Sequence, residues 1–258
     1  MGGTSNHVVD APGGPPSTLE ERIKRALVPA RLELKRIVAR EKRKGEAGLR
    51  LLPFLLDPGR AALDIGANRG IWAHEMAAVC GTVWAFEPNP KLFAVLKAAA
   101  GPTVTCRADA LSDTGGEAKL LIPGEAGRFS NQGASLNPDK VGTRAHMRVA
   151  VATARLDDLD PPPTGFMKID VEGHERAVLE GARGLIARDK PAMIIELEER
   201  HTGRDLDGEL DFVERLGYRA LALKDGRLID RARLDVEGDH RAKAGKPGYV
   251  NNFLFLPV

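Results

Sequence analysis

The chain has 258 residues, of which 43% are hydrophobic, so it can bury a sizeable core and intrinsic disorder is not the default. Its net charge of +2 is too small to indicate nucleic acid by itself, and two cysteines are too few for a disulfide framework. It contains neither a run of 18 apolar residues nor a secretory signal at its start, so we expect a cytoplasmic protein without a membrane span.

The N-terminal part divides into a tail and a basic helical segment. Residues 1–17 are rich in Gly, Pro and Ser and predict a disordered tail. Apolar residues at helical spacing predict helix within 18–58, interrupted at Pro29. Ten Lys or Arg and four Glu lie between positions 20 and 44, a charge of +6. Such a segment can contact an anionic membrane surface or a partner, but we favour packing of its apolar face on the following domain.

Strand and helix patterns alternate over 59–258. Short apolar runs that predict buried strands lie at 61–66, 82–87, 104–106, 165–170 and 192–196. Most of them are separated by segments with helical spacing, which predicts a mostly parallel sheet covered by helices on both faces. Two more strand patterns, at 218–223 and 252–256, follow each other without a helix. They predict an antiparallel hairpin at one edge and a total of seven strands.

Residues 115–160 break this alternation. They are rich in Gly, Pro, Ser and Asn, with strand-like pieces only at 118–122 and 148–152. Long irregular segments in compact domains are usually functional or disordered. We therefore predict an insertion that faces the substrate beside the active edge of the sheet.

Acidic residues follow three successive strands and suggest a cofactor site. Asp64 stands two residues before Gly66 in a G-x-x-x-G pattern that ends at Gly70, unlike the G-x-G-x-x-G of dinucleotide sites. A carboxylate there would repel a pyrophosphate but suits the ammonium group of S-adenosylmethionine. Glu87 ends the second strand, where it can accept hydrogen bonds from ribose hydroxyls. Asp109 follows the third strand, within reach of an adenine amino group.

Four segments of the chain resemble the FkbM family of methyltransferases: LDIGANRG (63–70), FEPNP (86–90), ADALSD (108–113) and KIDVEGHE (168–175). The resemblance implies a class I, Rossmann-like methyltransferase fold, S-adenosylmethionine as methyl donor, and O-methylation of a sugar, glycan or natural-product hydroxyl. The residues expected at the cofactor are Asp64, Gly66, Ala67, Asn68, Gly70, Glu87, Pro88, Asp109, Ala110 and Asp170.

The chemistry points to residues after the fourth strand. A sugar hydroxyl is a poor nucleophile, so a base or a metal must help to remove its proton. We predict Asp170, Glu172 and His174 as the catalytic residues, with Asp170 as general base or metal ligand and His174 as another proton acceptor. Glu196 and Glu198 end the next strand and, with Asp170, could hold Mg²⁺. Whether a metal takes part stays open at this point.

Two other functions remain in view. An NAD-type oxidoreductase would share the strand order and the ribose carboxylate, but the glycine spacing disfavours it. A non-catalytic cofactor-binding module is disfavoured by the acidic cluster at 170–175. Two tryptophans and two tyrosines are few for base stacking, so we expect a small-molecule or glycan acceptor and no nucleic acid. The identity of the acceptor and a homo-oligomeric state stay open.

Overall fold

A computed structural model describes residues 8–10, 14–125, 128–129, 133–141 and 145–258 of the chain. Its strands are β1 (Val8–Asp10), β2 (Ala61–Ile65), β3 (Val83–Phe86), β4 (Val104–Arg107), β5 (Ala110–Leu111), β6 (Gly116–Glu125), β7 (Arg128–Phe129), β8 (His146–Ala154), β9 (Thr164–Ile169), β10 (Ala192–Glu196), β11 (Tyr218–Lys224), β12 (Arg227–Asp230) and β13 (Asn252–Pro257). Its α-helices are α1 (Leu19–Leu27), α2 (Ala30–Lys44), α3 (Leu52–Leu55), α4 (Ile71–Met76), α5 (Pro90–Ala99), α6 (Pro138–Val141), α7 (Glu175–Glu180), α8 (Arg183–Asp189), α9 (Glu199–Thr202) and α10 (Leu206–Glu214).

The main sheet has the strand order β12-β11-β13-β10-β9-β2-β3-β4. Strands β10, β9, β2, β3 and β4 pair in parallel, and β13 lies antiparallel between β10 and β11. The order of the parallel strands reverses beside β2 and β9, so a crevice forms where their carboxyl ends meet. The predicted mostly parallel architecture is confirmed.

The edge of this sheet differs in detail from the prediction. The described part of the sheet has eight strands and not seven, and the last strand of the chain lies inside the sheet. The edge hairpin is formed instead by β11 and β12. Asp225 and Gly226 make the turn between them with φ of +49° and +74°, a combination that suits a tight two-residue hairpin. The short, partly exposed segment Arg227–Asp230 lacks the apolar run by which a strand is recognised in sequence.

Helices cover both faces of the main sheet. Every residue of β2 is buried, because Leu63 and Ile65 face one apolar core and Ala62 faces the other. The first core packs against α7, α8 and α10. The second core contains Trp72 of α4 together with residues of α3. Burial on two sides explains why these strands are continuous apolar runs without alternation.

The insertion forms a second sheet of its own. Strands β6 and β8 pair antiparallel over most of their length, and β1, β5 and β7 join them. The strand-like pieces at 118–122 and 148–152 lie within β6 and β8. Leu120, Ile122 and Val149 form a small apolar core between this sheet and its surroundings.

The N-terminal segment packs partly on the domain. Of the expected tail, residues 1–7 and 11–13 lie outside the described residues, whereas Val8–Asp10 pairs in parallel with β8. Pro29 separates α1 from α2, at the break that the sequence predicts. Leu34 and Val38 of α2 are buried against Ala99 of α5. No helix in the described part of the chain is both long and apolar enough to cross a bilayer.

Candidate active site

The glycine loop between β2 and α4 is pressed against the end of β9. Gly66 has φ +83°, and a Cβ placed on it would lie 1.9 Å from the carbonyl oxygen of Asp170. The backbone N–H groups of Gly66 and Ala67 both donate to the carbonyl oxygen of Phe86. Gly70 has φ +86° and begins α4. Position 66 therefore requires glycine for its left-handed backbone and for the close approach.

Asp64 supports this loop from beneath. Its carboxylate is buried, and its Oδ2 atom accepts a hydrogen bond from the Ala73 N–H in the first turn of α4, at 2.8 Å. Burial raises the pKa of Asp64 to about 7. The structure places Asp64 behind the loop and not on the wall of the cleft that the loop borders.

A cleft of about 670 Å³ opens at the carboxyl ends of β2, β3, β4 and β9. The predicted site residues on its wall are Gly66, Asn68, Glu87, Pro88, Asp109, Ala110, Asp170, Glu172 and His174. Asp64, Ala67 and Gly70 do not line it. The insertion supplies Leu120 and residues 133–136 to the opposite wall.

Glu87, directly after β3, connects this strand to the glycine loop. Its Oε2 atom accepts a hydrogen bond from the Asn68 N–H at 2.7 Å, and its Oε1 atom accepts one from the Asn89 N–H at 2.9 Å. Burial raises the pKa of Glu87 to about 7, although the two N–H donors oppose this shift. Each carboxylate oxygen has a second lone pair, which leaves Glu87 able to accept further hydrogen bonds from a ligand in the cleft.

Asp109 lies on the wall of the cleft, two residues after the end of β4. Its Oδ2 atom is 2.9 Å from Nε of Arg107, and the Arg107 guanidinium stands over the Trp84 ring at 5.6 Å. The ion pair holds Asp109 at the end of β4, with Ala110 buried beside it. This is the position that the sequence predicts for a contact with the adenine amino group.

Asp170 follows β9 directly, and its carboxylate forms an ion pair with the buried Lys168. The Asp170 side chain keeps 32% of its surface exposed, and its Oδ2 atom lies 3.8 Å from Nζ of Lys168. Burial raises the pKa of Asp170, Lys168 opposes this shift, and the carboxylate of Glu172 adds to it. Burial also disfavours charge on Lys168, but the carboxylates of Asp170 and Glu196 outweigh it and raise the pKa of Lys168. The only sequence signal for Lys168 was a lysine inside an apolar strand.

Glu172 lies in a tight loop that Glu175 organises. The Oε1 atom of Glu175 accepts hydrogen bonds from the N–H groups of Val171 and Gly173, at 3.2 and 2.9 Å. Burial raises the pKa of Glu175 to about 7. Glu172 itself has φ +59°, and its carboxylate forms an ion pair with Lys140 of the insertion. Lys140 of the insertion thus neutralises the negative charge of Glu172.

His174 is part of a hydrogen-bonded chain that the sequence did not reveal. Its Nε2 atom lies 2.9 Å from Oγ of Ser112, and the same hydroxyl donates to Oδ1 of Asp113 at 3.1 Å. Serine has one hydroxyl proton, so the Nε2–H of His174 is the donor to Ser112 and Nδ1 is left as a proton acceptor. Burial lowers the pKa of His174, which keeps the ring neutral.

The arrangement of Glu196 and Glu198 does not suit Mg²⁺. The Asn251 side-chain amide donates to Oε1 of both residues, at 2.8 and 3.3 Å, and Glu198 forms an ion pair with Arg200. Burial and the charge of Asp170 raise the pKa of Glu196, which opposes the deprotonated form that Mg²⁺ binds. Among the described residues, no group of three or more His, Cys, Asp or Glu side chains is placed to hold a metal ion. We therefore derive no step through a metal.

Ser135 joins the insertion to the loop that follows β9. Its hydroxyl donates to the carbonyl oxygen of Glu172 at 2.7 Å and accepts from the Asn137 N–H at 2.9 Å. We expect Ser135→Ala to destabilise the protein by about 1–2 kcal/mol, because two partly buried backbone groups lose their partner. Thermal unfolding would measure this loss, and hydrogen exchange would locate it at 133–141 and 171–173.

Thr114→Ala is the matched control for this substitution. The Thr114 hydroxyl is exposed and makes only a long contact with Asp113, so its loss should change the free energy of unfolding by no more than about 0.5 kcal/mol. Equal effects of the two substitutions would contradict the role of Ser135.

The family model of the methyltransferase FkbM domain matches residues 64–220. Among solved structures, the chain is similar to methyltransferase FkbM from Methylobacillus flagellatus KT, with 16% identity and a TM-score of 0.49. That match covers 91% of this chain but only 60% of the Methylobacillus chain.

Two further solved structures are similar to the chain. The TehB-like SAM-dependent methyltransferase from Corynebacterium glutamicum ATCC 13032 Kitasato has 11% identity and a TM-score of 0.48, with 89% of this chain and 98% of that chain covered. The precorrin-6y C5,15-methyltransferase from Geobacter metallireducens GS-15 has 12% identity and a TM-score of 0.43, with 82% and 87% covered. In sequence, no curated protein matches the chain.

Proposed function

Because this chain belongs to the FkbM methyltransferase family, we propose that it transfers the methyl group of S-adenosylmethionine to a hydroxyl group. The proposed acceptor is a sugar, a glycan or a hydroxylated natural product, the class that the family resemblance implies. The cofactor and the acceptor meet in the cleft at the carboxyl ends of β2, β3, β4 and β9.

The acidic lining of the cleft is the main observation that supports this proposal. Glu87, Asp109, Asp170 and Glu172 line the cleft, and no lysine or arginine does so among the described lining residues. Three of these carboxylates have a cationic partner outside the lining: Arg107 for Asp109, Lys168 for Asp170 and Lys140 for Glu172. The methionine part of S-adenosylmethionine carries a sulfonium and an ammonium group, and carboxylates stabilise both charges. The pyrophosphate of NAD would instead meet repulsion from the same carboxylates. The cleft therefore favours a methyltransferase over an oxidoreductase.

The residues on the wall fit the parts of this cofactor. Gly66 lines the cleft without a side chain, which leaves its backbone accessible to a ligand. Glu87 would accept hydrogen bonds from the ribose hydroxyls, and Asp109 would accept one from the adenine amino group. Pro88 and Ala110 would supply apolar surface beside them. When bound, the cofactor supplies a methyl group on a positively charged sulfur.

Asp170 is the residue that we place opposite the transferred methyl group. Its carboxylate is half-buried at the end of β9, next to the glycine loop, where it can accept the proton of the acceptor hydroxyl. When the acceptor oxygen takes the methyl group and S-adenosylhomocysteine leaves, the Asp170 carboxylate would accept the O–H proton. Nδ1 of His174 is a further proton acceptor on the same wall, and Glu172 orients the acceptor through its remaining lone pairs. Holding the oxygen, carbon and sulfur atoms in line supplies much of the catalysis.

Calorimetric titration of the purified protein tests the cofactor assignment. We expect micromolar dissociation constants for S-adenosylmethionine and S-adenosylhomocysteine, with NAD at least about 100-fold weaker because of charge repulsion. Mg²⁺ or a chelator should leave these values unchanged. Glu87→Gln should weaken binding, whereas Glu117→Gln, at an exposed position of β6, should not. Absence of binding, or a preference for NAD, would refute the proposal.

A screen of acceptors tests the reaction itself. Release of S-adenosylhomocysteine would be measured with sugars, oligosaccharides and hydroxylated natural products, and the methylated atom would be identified by NMR. A methyl ether is the expected product. Methylation at nitrogen or carbon only would show that the O-methyltransferase assignment is wrong while leaving the cofactor assignment intact.

A further inference from the structure

One side of α1 carries large apolar side chains that nothing covers among the described residues. Leu19, Ile23 and Leu27 recur every four residues, and 70%, 51% and 75% of their surfaces are exposed. Glu21 lies two positions before Ile23, about 160° away around the helix, and its carboxylate is 2.9 Å from Nζ of Lys91 on α5. Because α1 is attached to the domain through the Glu21 side, its apolar stripe points away from the domain.

The outer face of α2 is strongly basic. Leu34 and Val38 are buried against the domain, which turns the opposite side of the helix outward. The exposed residues on this outer side include Leu32, with 44% of its surface exposed, and the cations Lys35, Arg36, Arg40 and Arg43. Arg31 and Lys42 instead contact the domain, at the carbonyl oxygen of Ala100 and the carboxylate of Glu75. The segment 20–44 has a charge of +6, compared with +2 for the whole chain. The positive charge of the protein is therefore concentrated on these two helices.

We propose that α1 and α2 dock the protein on an anionic phospholipid bilayer. Helices that join an exposed apolar stripe to many cations lie in the plane of a bilayer, with apolar side chains among the acyl chains and cations at the phosphates. Leu19, Ile23 and Leu27 are the inserted residues, and the cations of α2 contact the lipid headgroups. A second copy of the chain is a poorer occupant, because its own +6 segment would repel this one.

Binding to vesicles of defined composition tests this proposal. The purified full chain would be sedimented with vesicles of phosphatidylcholine alone or of phosphatidylcholine mixed with phosphatidylglycerol. We expect at least about tenfold tighter binding to the anionic vesicles, and a marked loss of binding at high salt because the attraction is screened. Absence of binding to the anionic vesicles at low salt would overturn the proposal.

Four variants separate the docking surface from the rest of the molecule. Ile23→Glu places a charge in the apolar stripe, and the double variant Arg36→Glu/Arg40→Glu reverses the basic face; each should reduce binding by about tenfold or more. Val79→Glu and the double variant Arg215→Glu/Arg227→Glu make comparable changes at exposed positions outside α1 and α2. Both controls should bind vesicles like the unaltered protein. Equal losses in controls and test variants would refute the assigned surface.

Two additional measurements distinguish docking on a bilayer from misfolding of the variants and from dimerisation. Affinity for S-adenosylhomocysteine, measured in parallel, should be the same in all four variants, which shows that the fold is retained. In Ile23→Trp, the emission of the new tryptophan should shift to the blue with anionic vesicles only. If Ile23→Glu dissociates a dimer and leaves vesicle binding unchanged, the stripe is a protein interface and the bilayer proposal is wrong.

Discussion

Asp170→Asn should lower kcat by about 10²–10⁴-fold, the usual contribution of a general base. The carboxamide has nearly the size of the carboxylate but cannot accept the hydroxyl proton. Affinity for S-adenosylhomocysteine should change only a few-fold, because the Asp170 N–H, which donates to the Ile65 carbonyl oxygen just before the glycine loop, is unaltered. Turnover would be measured as release of S-adenosylhomocysteine with an acceptor from the screen, and affinity by calorimetry.

Asp158→Asn is the control for this substitution. Asp158 is an exposed carboxylate that pairs with Arg155, outside the cleft, so its loss should leave turnover unchanged. Near-normal turnover of Asp170→Asn would show that Asp170 does not take the proton. Nδ1 of His174 would then be the next acceptor to test.

Gly66→Ala should abolish measurable cofactor binding, a loss of at least about 100-fold. The new Cβ would lie 1.9 Å from the Asp170 carbonyl oxygen, and alanine rarely adopts a φ of +83°. The loop must move away from the end of β9, and Asn68 and Glu87 move with it because they share a hydrogen bond. Calorimetry with S-adenosylhomocysteine measures the loss, and thermal unfolding shows how much of it reflects stability.

Gly81→Ala provides the matched glycine control. Gly81 has open space around the position of a Cβ and no positive φ, so alanine fits there without strain. Its affinity for S-adenosylhomocysteine should equal that of the unaltered protein. If Gly66→Ala also binds normally, the glycine loop does not border the cofactor site.

The main sheet was largely predictable because its central strands are buried on both faces. Runs such as 61–66 and 165–170 stand out as apolar whatever their partners are. The short strand β12 gave no such signal, since it is partly exposed and depends on the turn at Asp225 and Gly226. The length of β6 and β8 was also missed, because their pairing joins residues far apart in the chain.

The candidate site was predictable where topology alone places residues together. Glu87, Asp109 and Asp170 each follow a parallel strand, and such strand ends converge at one edge. The direction of the Asp64 side chain could not be predicted from the sequence, because both faces of β2 are buried. Apolar and polar residues therefore do not alternate along this strand, and the pattern does not indicate which way a side chain points. The hydrogen bond from His174 to Ser112 joins residues 62 positions apart, and such contacts exist only in the folded chain.

The insertion sheet has an apolar core of its own, which includes Leu120, Ile122 and Val149. Its polar links to the loop after β9 come from a small set of side chains, among them Ser135, Asn137 and Lys140. A structural unit with a separate core can vary without disturbing the main sheet. We therefore expect that exchanging residues 115–160 between relatives, with those linking residues retained, changes the acceptor preference and leaves the main sheet intact.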